Sequence, residues 1–298
     1  MSDSNSPSGS RESVEVKKRR LRTALRQARV EASMTQKQAA DALVWSVSKI
    51  VRIEQGTVPV TPTDVRVMLE TYGTDNDKIR ELVELSKGAR VTKGWSQFND
   101  VLTQESLELF GNESAAKVIY KYEPSVIPGL FQTQEYARAL LQALGNSEDQ
   151  IERRLAARAQ RQQILETPER PELDFILGEA ALCRPIGGED TMREQIAYLL
   201  ELKDRSGISV LLLPFAAGPH RSMGGAFTVL QFDDPLLPDL LYLENEERER
   251  VSRDEQGVIR KYLDLYVELQ SMATGYGSLE EGISKIIRER YSGLGEAE

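Results

Sequence analysis

Apolar side chains recur at helical spacing from Val14 to about Leu85, and beyond residue 170 they give way to short unbroken runs of Leu, Val, Ile and Phe. Between Val14 and about Ala32, Val16, Leu21, Leu25 and Ala28 fall on one stripe and predict a helix. Thr35 reads as the N-cap of a short helix, Gln36 to Leu43, which carries Ala39, Ala40 and Ala42. A break near Val44-Trp45 precedes Ser46, a second N-cap, and its helix runs through Gln55 until Gly56 stops it. Thr61-Pro62 starts a fourth helix reaching Tyr72, with Val65, Met68 and Leu69 inward. Asp75 opens a fifth through Ile79, Leu82, Val83 and Leu85.

Gly88 and Gly94 mark a linker. Past it, Trp95, Phe98 and Leu107 to Phe110 read as helical. Tyr120 to Thr133 reads as a loop, because two prolines and a glycine punctuate it before a helix from Gln134 to Leu144. Ser147 begins a charged helix through Leu165. Its side with Ile151, Leu155, Ala159 and Ile164 is expected to pack on the core or cover a dimer interface. Leu173 to Leu177, Ile208 to Leu213, Ala226 to Phe232 and Leu240 to Leu243 read as strands. Helices are expected at Thr191 to Leu202, around Gln256 to Met272, and from Leu279 to Tyr291. The predicted fold class is a mainly α N-terminal five-helix helix-turn-helix domain plus an α+β C-terminal domain with a small, mostly antiparallel sheet. The expected divisions are a disordered, Ser-rich leader over 1–13, the helical domain over 14–88, and a regulatory, sensing and dimerising domain over 89–298.

Net charge sharpens the functional picture. The chain of 298 residues carries −9 overall, which argues against nucleic acid at first sight. Yet from Arg11 to Ile53 stand 11 Lys and Arg against 4 Asp and Glu, so a basic head precedes an acidic remainder. That distribution fits a protein of which one part touches phosphate. A single cysteine, Cys183, excludes an internal disulfide, and a single histidine, His220, excludes schemes that need two imidazoles. No apolar run is long enough to span a membrane, and the opening MSDSNSPSGS has no apolar core of a signal peptide. A cytoplasmic, nucleoid-associated protein is therefore expected, with no membrane partner, metal or cofactor.

The run Met34 to Gly56 (MTQKQAADALVWSVSKIVRIEQG) carries the strongest chemistry. Two short helices joined by a tight turn can lay the second in a major groove. Small residues such as Ala39-Ala40 permit the close crossing, and Ile50 and Ile53 face the core at i and i+3. Val47, Ser48 and Arg52 then point outward, and an arginine there can pair bidentately with guanine. Thr35-Gln36, Ser46, Ser48-Lys49-Ile50 and Arg52-Ile53-Glu54-Gln55-Gly56 resemble the Xre-like, phage-repressor-type helix-turn-helix family. The resemblance implies that Gln36 meets the DNA backbone and orders the recognition helix. It implies further that Ser46, Val47, Ser48 and Arg52 face base edges, while Lys49 contacts phosphate. It also implies a partly buried structural ion pair between Arg29 and Glu54. Val44 departs from the family, which usually has glycine at that place. A β-branched residue with positive φ is strained, so a remodelled turn or shifted helix ends are expected.

The segment Glu123 to Arg138 (EPSVIPGLFQTQEYAR), with Phe175 to Leu182, Leu213-Pro214, Gly225-Ala226-Phe227 and Tyr242-Leu243-Glu244, resembles the actinobacterial WhiJ-type, antitoxin-like regulators. That resemblance implies transcriptional control, often beside a small partner protein. The expected partners are double-stranded DNA, a second copy of the chain in a homodimer, and either a small partner protein or an unidentified small-molecule ligand. The candidate ligand or partner site comprises Pro128, Phe131, Tyr136, His220 and Arg221, on the Pro-Gly loop and on the glycine-rich loop Gly218 to Gly225. Gly224-Gly225 lacks the lysine and spacing of a phosphate-binding loop. Glu179, Asp190, Glu244, Glu246 and Glu247 have no accompanying nucleophile, so no catalysis is expected. A sequence-specific regulator is the leading expectation; the alternatives are sequestration of a small partner and a ligand-responsive regulator.

Overall fold

The computed structural model describes residues 12–90, 94–244, 249–252, 255–274 and 278–290. The expected leader up to residue 11, Glu246, Glu247 and Tyr291 lie outside them. The described residues form two compact units, one reaching Gln97 and taking in Asp234–Leu237, the other holding the remainder from Phe98.

The first unit is built from α1 (Val14–Glu31), α2 (Gln36–Leu43), α3 (Val47–Gln55), α4 (Pro62–Thr71) and α5 (Asn76–Gly88). Each begins on a side chain that accepts a first-turn backbone N–H: Ser13, Thr35, Ser46, Thr61 and Asp75. Ser13, expected within the leader, is thus the cap of α1. Leu21, Ala24 and Leu25 of α1 meet Ala39, Ala40, Ile50, Ile53, Met68, Leu69 and Leu82 in one closed core, while Ala28 sits at its edge.

The second unit is α+β. Its six-stranded mixed sheet consists of β1 (Val118–Glu123), β2 (Glu172–Gly178), β3 (Ile208–Leu213), β4 (Ala226–Gln231), β5 (Leu240–Glu244) and β6 (Glu249–Ser252), in the order β3-β2-β1-β4-β5-β6. β1, β2 and β3 run parallel; β4, β5 and β6 add on antiparallel beyond β1. The sheet exceeds the four strands expected. β1 was hidden because it includes Lys121 and Glu123, which pair at 3.2 Å inside the fold and break any apolar run. Tyr120 to Glu123, expected as loop, are therefore strand. The polar β6 (ERVS) carries even less apolar signal.

The helices are α6 (Gln104–Glu113), α7 (Gln134–Ala143), α8 (Glu148–Gln162), the single turn α9 (Ala180–Cys183), α10 (Glu189–Lys203), α11 (Gln256–Thr274) and α12 (Leu279–Arg290). Helices α7 and α8 connect β1 to β2, and α10 connects β2 to β3, so parallel pairing has the long crossovers it needs. One sheet face, with Tyr122, Ile176, Phe227 and Val229, packs on Ile259, Tyr266 and Leu269 of α11. The opposite face, with Ile119, Phe175 and Val210, packs on Phe131, Tyr136, Met192, Leu199 and Ile283. Ile151 and Leu155 of α8 pack on Ala137 and Leu141 of α7. Ala159, expected on that inward side, is exposed; Ala157 is buried instead.

Candidate nucleic-acid interface

The geometry of the first unit is set at two turns. Before α2, the Thr35 hydroxyl accepts from Gln38 N at 3.2 Å and the Gln38 amide oxygen accepts from Thr35 N at 2.8 Å, a capping box. After α2, Val44 adopts the left-handed conformation at φ 55°, ψ 39°, and Trp45 N donates to Ala40 O at 2.9 Å. The turn thus keeps the backbone a glycine would give it, with neither remodelling nor shifted ends, and the Val44 side chain is 92% exposed. Ser46 then caps α3 by accepting from Lys49 N at 3.2 Å, and Gly56 closes it at φ 72°.

Ala39 and Ala40 are fully buried and let α3 cross closely, with Ile50 and Ile53 pressed into the core. Ser46, Val47, Ser48 and Arg52 are exposed on the opposite side. The Arg52 guanidinium has no partner among the described residues, so its donors face solvent. Behind α3, Arg29 Nε lies 2.5 Å from Glu54 Oε1, and Arg29 donates again from Nη2 to Oε2 at 3.0 Å. Arg29 Nη1 also reaches Met34 O at 2.6 Å, tying α1 to the start of α2. The hydrogen bond to Glu54 raises the Arg29 pKa above its ordinary value despite burial. Gln36 joins the same carboxylate, donating to Glu54 Oε2 at 2.8 Å. Its amide therefore braces α3, the ordering half of the role expected of it.

The fold adds partners at this surface that the sequence does not signal. The ammonium of half-buried Lys49, expected on phosphate, lies 3.1 Å from Asp64 Oδ1 and 3.4 Å from the ring centroid of Trp45. Burial acts against the Asp64 carboxylate, but hydrogen bonds from Thr61 and Lys49 outweigh it and hold the pKa below the ordinary value. Lys49 is thus preset rather than free. Lys18, Arg22 and Arg90 edge a recess of about 310 Å³ floored by Leu21, Leu25 and Ile53, which adds cationic surface to the same unit.

The candidate ligand residues of the second unit are not brought together. Pro128, Phe131 and Tyr136 are buried on one face of the sheet, where the Tyr136 hydroxyl accepts from Ile127 N at 3.1 Å. Burial pushes the Tyr136 phenol up to about 12. His220 belongs to the other face: its Nε2 lies 3.3 Å from the Tyr122 hydroxyl, and the rings meet edge to face. Arg221 is exposed. Cys183 is half-buried, and Glu179 accepts from Phe215 N at 2.7 Å, a loop-fixing bond. Among the described residues, no group of three acidic, His or Cys side chains is placed to hold a metal, and no helix is long and apolar enough to cross a membrane.

Residues 107–276 match the family described as "Domain of unknown function (DUF5753)". The chain belongs to this family. The DUF5753 match spans the whole six-stranded sheet, and a second match, to the family described as "Helix-turn-helix domain", covers residues 20–82. No curated protein and no solved structure matches the chain. The helix-turn-helix segment lies in the first unit and the DUF5753 segment, apart from Asp234–Leu237, in the second; the helix-turn-helix match supports a DNA-binding regulator.

Proposed function

We propose that this protein is a sequence-specific transcriptional regulator of the Xre-like kind, acting on the nucleoid as a homodimer. Its α3 enters the major groove, where Arg52 reads a guanine edge, Ser46, Val47 and Ser48 touch neighbouring bases, and Lys49 exchanges Asp64 for a phosphate. One observation carries the reading: a capped helix with an unpaired arginine and two serines facing solvent, braced from behind by the Arg29–Glu54–Gln36 cluster. The dimer follows from reach, since one such helix covers too few base pairs for useful specificity, and two place their readers about one helical turn apart. The acidic second unit would then regulate the first.

The test uses an operator selected from random duplexes by the full-length protein. Arg52→Ala is expected to lose about 1–3 kcal/mol on that operator and little on random duplex, because a base contact discriminates. Lys49→Ala is expected to weaken both duplexes alike and flatten the salt slope by about 1. Equal losses for Arg52→Ala on both duplexes would reject the assignment.

A further inference from the structure

The arginines of α8 are unequally neutralised. Arg161 is clamped by buried Glu113 through two bonds of 2.8 and 2.6 Å, and Arg153 by Asp100 through two of 3.0 Å. Arg154 and Arg158, one turn apart, form no direct ion pair among the described residues, and Glu244 acts on Arg158 only at longer range. Arg158 donates only to the neutral amide oxygen of Gln132, and the Nε of Arg154 is buried without a bond. Burial, then Arg161 and Arg154, outweighs the opposing pull of Glu244 and pushes the Arg158 guanidinium down to about 10. A cation held in such a place is short of one negative charge.

Arg158 also lines a recess of about 260 Å³ between α7 and α8. Gln132, Thr133, Gln134 and Gln162 supply its neutral polar wall, and alanine and leucine side chains its apolar one. Gln162 is fixed from behind, donating to Gln132 O at 2.7 Å. Glu152, its one carboxylate, is held by Arg138. The first turn of α7 opens here, and the amides of Gln134 and Glu135 have no partner among the described residues, which adds a weak positive pole.

We propose that this recess is a binding site for a small oxyanion, a phosphate or carboxylate group carried by a metabolite, with Arg158 as the residue that binds it. The volume lies just below that of pockets for drug-sized ligands, so the occupant is a compact anion. The inference stands apart from DNA binding, because every residue it uses belongs to the second unit.

The test is thermal unfolding and calorimetric titration of the full-length protein with inorganic phosphate or malonate against sodium chloride at equal ionic strength. A saturable rise in Tm with phosphate alone identifies a phosphate site; one with malonate alone identifies a carboxylate site. Two variants check the assignment. Arg158→Met removes the charge at similar volume, is expected to fold because it relieves repulsion from Arg154 and Arg161, and should bind about tenfold or more weakly. Ala159→Glu, at an exposed position lining the recess, places a negative charge at its mouth and should give the same loss. A rise that survives in Ala159→Glu and Arg158→Met comes from the basic amino-terminal unit and overturns the proposal. So does the absence of any effect beyond sodium chloride in the unmodified protein.

Discussion

At Glu54 three bonds converge on one carboxylate, two from Arg29 and one from Gln36, with the side chain almost wholly buried. Removing one member of such a pair strands a buried charge, so Glu54→Ala is expected to cost about 3–5 kcal/mol in urea unfolding. Replacing both charges, as in Arg29→Met with Glu54→Leu, should cost much less, since the pair's net contribution is small against its desolvation. Val44 gives the opposite sign. It holds φ 55° with its side chain in solvent, so it bears left-handed strain and gains no burial. Val44→Gly is expected to raise stability by about 0.5–1 kcal/mol, the steric relief exceeding the extra freedom of glycine in the unfolded chain. An unchanged or lower urea midpoint would mean that the side chain has a contact of its own. The caps at Thr35 and Ser46 were legible because cap and helix are neighbours in sequence. The hold of Asp64 on Lys49 was not, because it depends on how the start of α4 packs beside α3.

Among elements, legibility followed the pattern of burial. Helices with one buried stripe, such as α2 and α3, could be read to within a residue, and so could the apolar strand β3. β1 could not, because its buried positions include Lys121 and Glu123, which are internal only as a pair. Burial raises the Glu123 pKa, with Lys121 opposing and Glu244 adding to the shift, so the pair sits at a loaded point of the sheet. The segment after β1 is also set by what it meets. At the end of β2, a Cβ on Gly178 would stand 2.6 Å from Pro124 O, a backbone atom that cannot swing aside. Gly178→Ala is therefore expected to destabilise the second unit by about 1–3 kcal/mol through overpacking, read as a lower Tm. A neutral result would show that the β1–α7 connection shifts at little cost. The same connection explains why the candidate residues Pro128, Phe131 and Tyr136 look functional in sequence. Two prolines and a glycine mark a loop, but only the fold shows that side-chain amides of Gln162 and Gln195 anchor its carbonyls, at Gln132 O and Phe131 O, inside the core.

For the whole molecule, the sequence already separates a basic head from an acidic remainder, and the fold builds that head into a helical unit with a core separate from those of the sheet unit. With two cores, unfolding need not be one two-state event, and a ligand of one unit raises the transition that unfolds that unit. In scanning calorimetry of the full-length protein, Glu54→Ala should lower one transition and so identify the helical unit. Selected operator duplex at about a hundred times its Kd should add about 2.7 kcal/mol to that same transition. Random duplex at equal concentration should add less, and the gap should widen as salt rises, because non-specific binding is almost wholly phosphate neutralisation and falls steeply with salt. The acidic remainder repels DNA, so its own transition has no reason to move upward. A duplex that stabilised the other transition instead would place DNA on the DUF5753 unit and remove α3 from the reading.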